Sequence, residues 1–197
     1  ARSAGRRAPA GHVLWEPLIS PEYEWYEKVA LVASIVIALA GLGYAWMLSR
    51  QVRAAPQGTP RMQEIARAIR EGADAYLLRQ LSVVVPLIVL ITAALYFVAL
   101  WAGSPVEIAW GRAIAFLAGS TFSAAVGLVG MRLATMGNLR VAAAARDSFG
   151  EALQLGYRTG TVTGMLTDGL GLLGGSIIFL AYGEHAYEAL LGFGFGG

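Results

Sequence analysis

Cysteine is absent from the 197 residues, so neither a disulfide nor a thiolate metal site can form. Charge is scarce as well. Asp, Glu, Lys and Arg together make 14% of the chain, where an ordinary soluble domain carries about 25%. Lysine is nearly missing, since Lys28 stands alone beside fourteen arginines. Those arginines are scattered next to apolar runs and build no continuous patch, which argues against nucleic acid as a partner. The first 28 residues hold Arg2, Arg6 and Arg7 and no short apolar core before a small-residue site, so no cleavable signal peptide is read there. What abounds is apolar surface. Hydrophobic residues make 56% of the chain, and they gather into long runs.

Four runs are long enough to cross hydrocarbon about 30 Å thick, which takes about 20 helical residues at 1.5 Å each. They cover 29–48, 81–101, 113–133 and 162–182, and a further apolar stretch, 187–197, reads as the start of another helix. None alternates as a barrel strand would. Helices that satisfy their own backbone groups are therefore expected, giving an all-α, polytopic membrane helix bundle. Trp25, Tyr26, Trp46, Trp101 and Trp110 sit at the edges of the runs, where amphipathic rings favour the headgroup level.

Ten arginines fall in or beside the first and third connections: Arg50, Arg53, Arg61, Arg67, Arg70 and Arg79, then Arg132, Arg140, Arg146 and Arg158. Lys28, Arg112 and the three tail arginines lie on the other side. This bias predicts that both connections are cytoplasmic and that residues 1–28 form an extracytoplasmic tail. Within the first connection, Thr59 before Pro60 is a helix start, and Met62, Ile65, Ile69, Ala73 and Tyr76 follow at helical spacing. This amphipathic helix is expected to run into the second span. Arg67 with Glu71 and Arg70 with Asp74 are placed for (i, i+4) ion pairs. Gly137 and Asn138 are expected to bend the third helix. Ser148 with Glu151 matches a capping box, so a helix from Phe149 to Tyr182 should project beyond the bilayer by several turns.

Gly156, Gly160 and Gly164 recur every fourth residue, as do Gly171 and Gly175, and Ala115, Gly119, Ser123 and Gly127 form a second row. Such rows let helix backbones approach closely in lipid. Gly192, Gly194, Gly196 and Gly197 lack the Lys-Ser/Thr of a phosphate loop and read as close packing too. Asp168 is the one acid well inside a span, and an ionisable group there is by default a candidate polar site. A structural partner on a neighbouring helix is the leading expectation for it, ahead of a place on an ion path and of a position close to the outer interface. His12 and His185 lie outside the spans and read as loop residues.

Residues 62–80, Met62-Gln63-Glu64-Ile65-Ala66-Arg67-Ala68-Ile69-Arg70-Glu71-Gly72-Ala73-Asp74-Ala75-Tyr76-Leu77-Leu78-Arg79-Gln80, resemble the early cytoplasmic motif of membrane-bound, ion-translocating pyrophosphatases. Three later stretches agree in order and spacing: Gly130-Met131-Arg132 through Arg146, then Ala152 through Met165, then Leu191 through Gly197. The resemblance implies a homodimer of about sixteen membrane helices per subunit that hydrolyses pyrophosphate with magnesium and exports protons or sodium ions, in some members with potassium. It implies a multi-pass protein of the cell membrane with its amino terminus outside. On this reading residues 29–197 are the amino-terminal part of the membrane domain, an outer-ring scaffold, and the chain is a piece of a longer protein, inactive alone.

No catalytic, cofactor-binding or metal-binding residue is carried over. Hydrolysis of a phosphoanhydride needs magnesium held by clustered carboxylates. The acids available in the arginine-rich connections are Glu64, Glu71, Asp74, Asp147 and Glu151, and of these Glu71 and Asp74, three apart on a helix that also carries arginines, read better as ion-pairing partners. The competing readings are a secondary transporter with Asp168 as its ion carboxylate and a non-catalytic membrane scaffold.

Overall fold

The structure, a computed structural model, describes residues 16–21, 23–183 and 186–197. Among them every regular element is a helix: a short α1 (Glu16–Ile19), then α2 (Trp25–Ala54), α3 (Pro60–Trp101), α4 (Val106–Ala144), α5 (Phe149–Tyr182) and α6 (Ala186–Gly196). Helices α2 to α5 are each long and apolar enough to cross a membrane. They contain the four expected spans. At 30, 42, 39 and 34 residues they measure about 45–63 Å, so all four outrun the hydrocarbon layer.

Local chemistry sets the helix ends. At the start of α2, Glu24 and Glu27 form a reciprocal capping box. The Thr59 hydroxyl accepts from the Met62 N–H at 3.3 Å, and Pro60 fills the first helical position, where a missing N–H costs nothing. The Ser148 hydroxyl accepts from the Glu151 N–H at 3.3 Å and starts α5 where expected. Between α3 and α4 the chain turns at Gly103, whose φ of 80° is left-handed and open chiefly to glycine. Pro86 lies inside α3 without ending it.

Helix α4 runs unbroken through Gly137 and Asn138 to Ala144. Gly137 serves packing. A β-carbon there would stand 2.5 Å from the Thr159 methyl of α5, so only glycine lets that side chain in.

Helix α4 lies at the centre. It packs on α3, α5 and α6, while α2 leans chiefly on α5. Ala45, Leu48, Leu133 and Val162 form a core where α2, α4 and α5 meet, with Met136, Met165 and Leu166 around it. Ala115, Ile178 and Ala189 form another between α4, α5 and α6. In lipid such contacts gain little from the hydrophobic effect, because acyl chains are as apolar as leucine; fit between surfaces has to hold the helices together. The tightest fit is between α4 and α6. A β-carbon at Gly119 would strike the Phe193 carbonyl, one at Gly192 the Arg112 carbonyl, and one at Gly196 the Phe116 carbonyl. Ser123 closes this seam by donating from Oγ to the Gly197 carbonyl at 2.9 Å. Hydroxyls inside the helices bond back to carbonyls of their own helix, as Thr92 does to Ile88 and Thr159 to Leu155.

Candidate functional site

Two polar features interrupt the apolar bundle. The first lies at the end where α2 finishes and α3 starts. Arg53, Arg70, Asp74 and Arg132 line a cleft of about 420 Å3 whose remaining walls are Val129, Leu133 and Met136. The (i, i+4) pairs expected from sequence, Arg67–Glu71 and Arg70–Asp74, are absent among the described ion pairs. Asp74 reaches across to α4 instead, with Oδ1 3.7 Å from the Arg132 Nε. Arginine placed four residues before an acid is the less favourable order on a helix, which suits this outcome. Arg61 does pair within α3, with Glu64 at 2.7 Å.

Behind this cleft Arg140 is 5% exposed. Its Nη1 donates to the Met136 carbonyl at 3.1 Å and its Nη2 to the Arg53 carbonyl at 3.0 Å. The second bond ties α4 to the last turn of α2, where helix carbonyls lack intrahelical partners and a cation is favoured. Nε is buried without a partner. In the sequence Arg140 is one more arginine of a positive connection. Its distinguishing signal is weak: it follows Gly137 by three residues, on a stretch where α4 comes close to its neighbours.

The second feature is Asp168. It is exposed, and it lines a cleft of about 490 Å3 between α2 and α5 with Ile37, Gly41, Tyr44, Met165 and Leu172. No described residue forms a hydrogen bond or ion pair with its carboxylate. The glycines of its helix divide into two sets. At Gly160, Gly164 and Gly171 an added β-carbon would meet nothing within 4 Å, and at Gly156 and Gly175 it would make ordinary contact with Val141 and Leu190. The close approaches of α5 fall at Gly169, against Leu42, and at Gly174, against Phe193 and Phe122. The row thus touches neighbours at Gly156 and Gly175, while the closest approaches of α5 fall outside it.

At the opposite end Arg112 of α4 pairs with Glu188 of α6, a link that no sequence spacing announces across 76 residues. Among the described residues no three His, Cys, Asp or Glu side chains gather to hold a metal ion. His12 and His185 lie outside the described residues.

Among the described residues the arrangement offers helices long and apolar enough to span a membrane, an arginine-rich end and an unpaired acid on α5, and no cluster of metal-holding side chains. A family model described as inorganic H+ pyrophosphatase matches residues 39–197. The chain belongs to that family. The H+ pyrophosphatase segment is 49% identical to a K(+)-insensitive pyrophosphate-energized proton pump of Chloroflexus aurantiacus, over 87% of this chain and 24% of that protein. It is 45% identical to a pump of the same description from Streptomyces coelicolor, over 85% of this chain and 22% of the relative. A K(+)-stimulated pyrophosphate-energized sodium pump of Thermotoga maritima is 36% identical over 76% of the chain and 20% of its own length. The chain thus spans about a quarter of the length of these relatives or less.

Proposed function

We propose that this chain is the amino-terminal scaffold of a primary pump that couples pyrophosphate hydrolysis to proton export. The family match over residues 39–197 carries this reading. The proton assignment follows the 49% and 45% identity to K(+)-insensitive proton pumps, against 36% to the sodium pump. On the same ground the pump works without potassium. The arginine-rich ends of α2 to α5 face the cytoplasm, and the chain begins outside the cell membrane. The pump is a magnesium-dependent homodimer. Its magnesium ligands belong to helices outside this segment, so no hydrolytic step is routed through the residues described above.

Asp168 and the row Gly156, Gly160, Gly164, Gly171 and Gly175 belong, on this proposal, to the face of α5 that receives further helices of the pump. The open cleft beside Asp168 and the free space over Gly160 and Gly164 support it. Asp168 then has a structural partner on such a helix and is not on the proton path.

Vesicles carrying the full-length pump test these points together. Magnesium-dependent pyrophosphate hydrolysis should acidify the lumen of inside-out vesicles without added potassium or sodium. Hydrolysis that drives no proton uptake, or strict dependence on sodium, would refute the assignment. Asp168→Asn should keep the ratio of protons moved to pyrophosphate split. A fall in that ratio with hydrolysis intact would move Asp168 onto the ion path.

A further inference from the structure

The cleft between α2, α3 and α4 carries more positive charge than its own residues neutralise. Three guanidinium groups, those of Arg53, Arg70 and Arg132, face one carboxylate, Asp74. That carboxylate meets Arg132 through a single long contact of 3.7 Å. Among the described residues neither Arg53 nor Arg70 has an acid within ion-pair distance. Arg140 adds a buried fourth charge behind the cleft, within electrostatic reach of both Arg70 and Arg53. All three guanidinium groups are exposed, so water screens their repulsion in part, and an anion between them would relieve the rest.

The cleft also has a defined level and lining. Arg53 lies in the last turn of α2, and Arg132 stands at the end of the apolar run of α4. By the apolar runs of the sequence, both stand near the level where headgroups begin. The rest of the wall is apolar, formed by Val129, Leu133 and Met136. Planar guanidinium forks match phosphate oxygens in pairs, where an ammonium offers only a point charge. Basic pockets between membrane helices at this level suit phosphate headgroups.

We infer that this cleft is a binding site for a phosphate-bearing anion, held by Arg53, Arg70 and Arg132 and tuned by Asp74. The shared chemistry is a phosphate group, supplied by an anionic lipid or by free phosphate from the aqueous side. The site does not depend on the pump reading. It requires only that these helices fold as described.

The test uses the full-length protein, purified in detergent and delipidated. One arm measures retention of phosphatidylglycerol against phosphatidylcholine by native mass spectrometry. The other measures the shift in melting temperature on adding inorganic phosphate in place of chloride at equal ionic strength. Each arm compares wild type with R70Q/R132Q, so binding at any other phosphate site cancels. Phosphatidylglycerol retained about tenfold more weakly by the variant, with no phosphate-dependent difference, identifies a lipid headgroup. A phosphate-induced shift that the variant loses, with lipid retention unchanged, identifies a free anion. Equal behaviour of wild type and variant in both arms overturns the proposal. Should R70Q/R132Q not fold, Asp74→Asn decides alone. Removing the one carboxylate should tighten binding of whichever anion is held, and unchanged or weaker binding sinks the idea.

Discussion

Helix α6 and the second half of α3 are both apolar and both helices lie on α4, yet they meet it in opposite ways. Of the 42 residues of α3 only Ala99 is buried, while Leu78, Leu90 and Phe97 stand about two-thirds exposed. Of the 11 residues of α6, Ala186, Ala189 and Gly192 are buried, and its backbone lies directly on that of α4. Apolarity does not separate the two, since lipid and protein solvate a leucine about equally. Size does. Where both partners offer glycine, alanine or serine, the main chains can touch; where side chains are large and branched, the helix turns them outward.

Five substitutions in the full-length protein, each followed by unfolding in a detergent titration read by circular dichroism, would sharpen or break that contrast. Gly119→Leu should act most strongly, because its side chain would have to displace the Phe193 carbonyl. It should cost at least the upper end of the about 1–3 kcal/mol typical of overpacking. Gly160→Leu meets open space within these helices, so a comparable loss there would reveal a covering helix. Arg140→Met should come next, at about 2 kcal/mol, since two charge-assisted hydrogen bonds are lost and the end of α2 is untied. Glu188→Gln should cost less than about 1 kcal/mol, because the pair with Arg112 is partly exposed and screened. Leu90→Ala should stay within about 0.5 kcal/mol. A larger effect would mean that the outward face of α3 is covered in the full-length protein.

Much of the fold was legible because hydrophobic length and helix starts are local properties. The four spans, the Thr59–Pro60 start and the Ser148 cap each lie within one stretch of chain. The resemblance of residues 62–80 and three later stretches was legible for the same reason. What the sequence hid depends on which helix faces which. Asp74 had a near partner in Arg70 by spacing and takes Arg132 from another helix. Gly160 and Gly164 looked like packing residues, whereas Gly169 and Gly174, outside the regular row, make the close contacts. Arg140 looked like a solvated anchor until α2 was seen to end beside it. Spacing along a helix locates a stripe, but the neighbour decides whether the stripe is used.

The short turn between α3 and α4 bears on how such a chain enters a bilayer. Residues 102–105 contain no charged side chain. Their backbone donors are already met from within: Ala102 bonds to the Val98 carbonyl, Gly103 to that of Leu100 and Ser104 to that of Ala99, while Pro105 has no N–H to satisfy. The tip therefore carries little that water must release before it passes through hydrocarbon. The two longest helices of the segment can be threaded as one hairpin, arriving on the far side with their turn already folded.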